Sequence, residues 1–169
     1  MSRYTVAVLV KNKFGVLNRV TSMFRRRQFN ISALTVSETE TNEYSRITVV
    51  FGGEENAKQQ LVNQLYKLPD VHSIKEFDDN NAVSFELLLV KMKNEQKSRE
   101  DIRGAAEAFG ATTVDYSKDY ITLRLTDSSR RIDDFINLLR EYSILEICRT
   151  GSVSLEKGSE TIRQNLNLK

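Results

Sequence analysis

The chain has 169 residues, 40% of them hydrophobic and 28% charged, with a formal net charge of +2. That balance suits a soluble globular protein with one full core or two small ones, and it gives no bulk-charge reason for an acidic partner. One cysteine and one histidine leave no room for a disulfide framework or a Cys/His metal cluster within the chain, and they fit a reducing cytosol.

Tyr4 to Lys11 is β-branched and apolar, which predicts a buried strand. The run is short and closes on Lys11-Asn12-Lys13 without a small-residue cleavage site, so a first strand explains it better than a signal segment. No run approaches the roughly 20 apolar residues of a membrane helix. After Asn12-Lys13-Phe14-Gly15, the residues Val16, Leu17, Val20, Met23 and Phe24 recur at helical spacing. Ile31 to Glu38 and Tyr44 to Phe51 read as strands around a polar turn, and Gly52-Gly53 breaks the chain. Ala57, Leu61, Leu65 and Leu68 form a second helical stripe stopped by Pro69, and Val71 to Phe77 closes the unit.

Asp78-Asp79-Asn80-Asn81 is a polar joint, and beyond it the order repeats. Val83 to Lys93 is a strand. Ser98 to Phe109 is a helix with a candidate capping box of Ser98 and Asp101 and a stop at Gly110. Ala111 to Tyr116 and Tyr120 to Leu125 form a hairpin. Asp127 or Ser128 caps a helix that turns Ile132, Phe135, Ile136 and Leu139 inward, and Ile144 to Leu155 contains the closing strand. The expected organisation is therefore residues 1–79, residues 80–158 and a polar tail, 159–169, with the segment from Glu156 onward expected to be mobile. Each half reads βαββαβ, an α+β ferredoxin-like sandwich whose sheet leaves one face bare. A half of about 80 residues holds a marginal core, so a second sheet or a second chain is the expected cover.

Catalytic signatures are missing: there is no GxGxxG, GxxxxGK[ST] or GxSxG. The chemistry concentrates instead in Asn12 to Leu17. Gly15 lets a ligand approach the backbone, and the helix start behind it offers unpaired N–H groups and the positive end of a dipole, which suit a carboxylate. The Asn12 amide can accept a hydrogen bond from an ammonium. Val16, Leu17 and Ile31 are candidates for a small apolar wall. On spacing alone this remains open against an ordinary capped helix start, which is the commoner use of such a turn.

The string Val8-Leu9-Val10-Lys11-Asn12-Lys13-Phe14-Gly15-Val16-Leu17-Asn18-Arg19-Val20 resembles the opening of acetolactate synthase (acetohydroxyacid synthase) small subunits, which begin with an ACT domain. Phe29 to Val36, Ser45 to Thr48, Gln64 to Leu68, Asp70-Val71, Glu86 to Lys91 and Arg149-Thr150-Gly151 resemble the same family in the same order, over residues 3 to about 158. The resemblance implies a non-catalytic regulatory subunit in branched-chain amino-acid biosynthesis. Such a subunit binds and activates a large catalytic subunit and confers feedback inhibition by a branched-chain amino acid, valine first. The partner would hold thiamine diphosphate, Mg²⁺ and FAD; this chain would hold no cofactor or metal. ACT domains of the family pair side by side and bind the effector between the first loop of one chain and the Asn-Ile region of the other. That implies a homodimer or larger assembly and a site of Asn12, Lys13, Phe14, Gly15, Val16, Leu17, Asn30 and Ile31. Three positions depart from the family pattern: Lys11 where an acid is common, Phe14 where proline or a small residue is common, and Gln28 where glycine usually ends the first helix. The last is expected to remove the easy left-handed helix stop.

Arg25-Arg26-Arg27 and Arg130-Arg131 read as solvated helix faces, since no aromatic platform or recognition helix accompanies them. Cys148 reads as a small core residue, and His72 as structural or exposed. Glu86 is a candidate for facing a partner. The rival functions are a stand-alone amino-acid-responsive regulator, for which no DNA-reading element is visible, and a small enzyme on a ferredoxin-like scaffold.

Overall fold

The computed structural model describes residues 2–78 and 80–163. The elements run β1 (Ser2–Lys11), α1 (Val16–Arg26), β2 (Ile31–Glu38), β3 (Tyr44–Gly53), α2 (Glu55–Leu65), β4 (Val71–Phe77), β5 (Ala82–Lys93), α3 (Arg99–Phe109), β6 (Thr112–Tyr116), β7 (Tyr120–Asp127), α4 (Ser129–Leu139), β8 (Ile144–Arg149) and β9 (Val153–Glu156). The α+β, twice-repeated βαββαβ architecture expected from the sequence is what forms. Its first sheet has the order β2-β3-β1-β4 and its second β6-β7-β5-β8, with β9 pairing β5 off this path. The strand pairs within each of the two orders are antiparallel.

By contact the described residues fall into two compact units: those up to Val83 together with those from Ser152 on, and Ser84–Gly151. In the first unit, alternate residues of the central strands (Val6, Val8 and Val10; Ile47, Val49 and Phe51) meet Val16, Val20, Met23 and Phe24 of α1 and Leu61, Val62 and Leu65 of α2. This is the period-2 face of a sheet meeting the period-3.6 face of two helices. The second unit repeats the solution with Leu88, Val90 and Met92 against Ile102, Ala105 and Ala106 of α3 and Ile132, Phe135, Ile136 and Leu139 of α4.

The far face of the first sheet is covered in part by the chain itself. Residues 152–163, expected to close the second half and then run free, dock there, while 164–169 of the expected polar tail lie outside the described residues. The Arg46 guanidinium donates to the Ser154 carbonyl, and the Ser73 hydroxyl to the Ile162 carbonyl. Lys75 Nζ lies 2.5 Å from Glu156 and 2.8 Å from Glu160, bonds that raise its pKa. Arg163 donates to Thr41 at 2.7 Å and pairs with Glu40 at 2.8 Å. Polarity alone suggested mobility because these partners lie far away in sequence. The closing strand is also split in two, with Gly151 at φ 78 between β8 and β9.

Other local expectations fail for identifiable reasons. Ser98 does not cap α3: its hydroxyl donates to the Glu95 carbonyl instead, and no side chain caps that helix. Ser128 does cap α4, accepting from the Arg131 N–H at 3.4 Å. Cys148 is exposed, because it shares a register position with the outward-facing Leu89. The left-handed stop of α1 survives without glycine, since Gln28 itself adopts φ 58. An L side chain there costs about 1–2 kcal/mol, against roughly 0.4–1 kcal/mol of extra unfolded-state entropy that glycine would bring. Gln28→Gly should therefore stabilise the protein by about 0.5–1 kcal/mol. The check is urea unfolding, as a raised midpoint at unchanged slope.

Candidate functional site

The β1–α1 loop leaves the sheet where β1 ends beside β3 at the Lys11–Tyr44 pair. It is tethered on both sides. Lys11 N donates to the Asp70 carbonyl at 2.9 Å, and Asn12 N to the Glu43 carbonyl at 2.8 Å. Arg19 on α1 pairs with the Asp70 carboxylate at 2.5 Å. The Asn12 side chain reaches over the β2–β3 turn, where its amide nitrogen donates to Glu38 Oε1 at 3.2 Å and to the Asn42 carbonyl at 3.1 Å. Both amide hydrogens are spent on acceptors, so the Asn12 carbonyl oxygen is the group left to receive a donor.

Gly15 is the residue before α1 and has φ 81, a left-handed conformation that favours glycine. No side chain caps α1 and no acidic residue lies in its first turn. No anion of the helix's own first turn compensates its positive end. A Cβ built on Gly15 would meet nothing within 4 Å, so the backbone here faces open space. Phe14 is fully exposed, at 103%, and Leu17 is 41% exposed. Val16 does not join them: it is 4% exposed and packs into the core of its unit. Lys13 is exposed.

Asn30 and Ile31 are not brought to this loop within one chain. Ile31 pairs with Phe51 on β3, and Phe51 with Tyr4 near the start of β1. Asn12 lies past the other end of β1. The seven strand steps from Tyr4 to Lys11 separate the two groups by roughly 23 Å. Asn30 is exposed and Ile31 partly buried against the core. Sequence reasoning missed the anchors Glu38, Asn42 and Glu43. The signal was the end of a hairpin next to the end of β1, legible once the sheet order is known.

The remaining singled-out residues have structural partners. Glu86 does not face outward; it is 1% exposed, accepts from Ser129 on α4, and is ion-paired to Arg149, which also reaches Asp133 at 2.6 Å. Burial disfavours the Arg149 cation, but its bonds to Glu86 and Asp133 outweigh that and raise its pKa. Arg25 and Arg26 sit in the last turn of α1, where cations complement the helix dipole. Arg131 pairs with Asp127 at 2.7 Å and stacks over Phe109. The His72 ring packs edge-on against Tyr44, 4.8 Å between centroids. Among the described residues no group of three or more His, Cys, Asp or Glu side chains could hold a metal ion, and no helix is long and apolar enough to cross a membrane.

A family model described as an AHAS small subunit-like ACT domain matches residues 6–73, and one described as the small subunit of acetolactate synthase matches residues 85–158. The acetolactate synthase small subunit of Bacillus subtilis is 40% identical over 156 residues, 92% of this chain and 91% of that one. The chain belongs to the acetolactate synthase small-subunit family. The Mycolicibacterium smegmatis acetolactate synthase small subunit is 38% identical over 159 residues, 94% of each chain. The crystal structure of the small subunit from Thermotoga maritima superposes with a TM-score of 0.85 at 32% identity, over 95% of this chain and all of that one. As a member of this family the chain carries an ACT domain at its N-terminal end, and the loop described above lies within it.

Proposed function

We propose that this small-subunit family member is a non-catalytic regulator. It binds and activates a large catalytic subunit of acetolactate synthase, and makes that enzyme sensitive to a branched-chain amino acid, valine first, in the cytoplasm. The partner carries the thiamine diphosphate chemistry with its Mg²⁺ and FAD. The observation that supports sensing is the β1–α1 loop. It joins an uncapped helix start behind a left-handed glycine, suited to a carboxylate, to an asparagine whose free group is an acceptor, suited to an ammonium. A free α-amino acid presents both. Leu17 and Phe14 are exposed beside them and offer apolar surface to an aliphatic side chain.

The distance to Asn30 argues for a second copy. β2 is an edge strand, with backbone groups open to pairing. Antiparallel pairing of β2 with β2 of another copy, about a two-fold axis, would bring Asn30 and Ile31 of one chain beside the Glu38 end of the other, and so beside its Asn12. Pairing through β4, the opposite edge, would not. An isologous interface of this kind creates two equivalent sites per dimer.

Reconstitution tests the proposal. The isolated chain should make no acetolactate from pyruvate. Added to its cognate large subunit it should raise the initial rate, and valine, leucine or isoleucine should lower the rate of the mixture but not of the large subunit alone. A mixture no faster than the large subunit overturns activation. A stimulated mixture insensitive to all three amino acids overturns sensing.

A further inference from the structure

We propose that Glu38 is a positioning residue for the effector, setting the orientation of the Asn12 amide so that the site selects an α-amino acid over the corresponding 2-oxo acid. This inference rests on the effector site proposed above. An asparagine side chain can present either its oxygen or its nitrogen to a ligand, and only its fixed neighbours decide which. Here both neighbours are obligate acceptors: the Glu38 carboxylate at 3.2 Å and the Asn42 carbonyl at 3.1 Å. The nitrogen must face them, and the oxygen is presented to whatever enters the loop. An oxygen accepts from an α-ammonium but has nothing to give a keto oxygen at the same position, which would stand lone pair against lone pair. A polar site built for one hydrogen-bonding pattern rejects the analogue that lacks it far better than an apolar wall distinguishes aliphatic side chains.

Of the two acceptors, Asn42 contributes a backbone carbonyl that no substitution removes. Glu38 is the one set by side-chain chemistry. It is the last residue of β2, paired with Ser45 and exposed, so replacing it disturbs neither the core nor the ladder. With Glu38 gone, only one of the two amide hydrogens is committed, and the Asn12 side chain is free to rotate and to offer its nitrogen.

The test is binding of valine and of its 2-oxo acid to the dimeric chain by calorimetry, for wild type, Glu38→Gln and Glu38→Ala. Glutamine keeps an acceptor for the Asn12 amide and loses only the charge. The wild type should prefer valine, Glu38→Gln should stay within about threefold of it, and Glu38→Ala should lose about tenfold in valine affinity. The 2-oxo acid should bind no more weakly to Glu38→Ala than to wild type, so the preference narrows. Wild-type valine affinity in Glu38→Ala overturns the inference while leaving the proposed site standing. Equal loss in Glu38→Gln and Glu38→Ala also overturns it, since the carboxylate then acts by charge on the ligand and not through Asn12. A wild type that binds no branched-chain amino acid overturns the site and this inference together.

Discussion

Replacing Arg149 by methionine should destabilise the Ser84–Gly151 unit by about 3–5 kcal/mol, the range expected when one partner of a buried ion pair is removed and the other charge is left behind. Glu86 is the charge in question. Its side chain is fully buried and its carboxylate is ion-paired to Arg149, which lies on the neighbouring strand β8. Methionine keeps much of the arginine stem's packing, so the loss reports the charge and its hydrogen bonds. In a unit of this size each kcal/mol moves the midpoint by about 4–8 °C, so thermal unfolding should show a shift above 10 °C. Adding Glu86→Gln to Arg149→Met should recover part of the loss, because a neutral amide is easier to bury than a carboxylate that has lost its arginine. A single-variant effect below about 1 kcal/mol would mean that the pair contributes no more than a surface salt bridge.

The second large effect is expected at the β1–α1 loop. Asn12→Ala removes the acceptor assigned to the effector's ammonium. Losing one hydrogen bond to a charged group costs about 1.5–3 kcal/mol, or roughly ten- to a hundredfold in affinity. Gly15→Asp places a carboxylate where the ligand's own must lie, at the helix start, so like-charge repulsion and exclusion act together. The φ of 81 at Gly15 means that any side chain there is strained, even though a Cβ would meet nothing within 4 Å. Aspartate tolerates that conformation better than most residues. Valine titration of the reconstituted enzyme should show inhibition weakened in both variants with activation intact. Undiminished inhibition in both would place the effector elsewhere. Loss of activation in Gly15→Asp alone would be read as strain, with Asn12→Ala carrying the conclusion.

How much of this could be read beforehand depended on the range of the interaction. β1, β2 and β4 were legible because their apolar runs are bounded by Lys11-Asn12-Lys13, by Asn30 and a polar turn, and by Pro69 and Asp78. The stripes Val16, Val20, Phe24 and Ile132, Phe135, Leu139 were legible because helical period and burial agree. Single-bond choices were less so. The Ser98 hydroxyl found the Glu95 carbonyl three residues back before it could serve the helix, and Gln28 took a glycine's conformation at a cost of the same order as one hydrogen bond. The docking of residues 152–163 was illegible, since the partners Arg46, Ser73, Lys75 and Thr41 stand 85 to 122 positions away in sequence. In the site, the residues of the loop were found together in sequence. The Val16 side chain belongs to the core stripe and not to the apolar wall, because the first residue of a helix faces the core or the ligand according to an angle that spacing does not give. Glu38 was missed because it meets Asn12 only across the β2–β3 turn.

In the proposed dimer the effector is held between the Asn12 loop of one chain and Asn30 of the other. Mixed dimers put this arrangement to the test. Asn12→Ala and Asn30→Ala should each abolish high-affinity valine binding by calorimetry when present alone. Mixed in equal amounts and allowed to exchange, about half of the dimers become hybrids. In each hybrid one site carries both substitutions and the other neither, so about a quarter of all sites should recover wild-type affinity. Recovery near that fraction supports a shared site. If the mixture stays as defective as its components while exchange is confirmed, each site is built within a single chain and the shared site is contradicted.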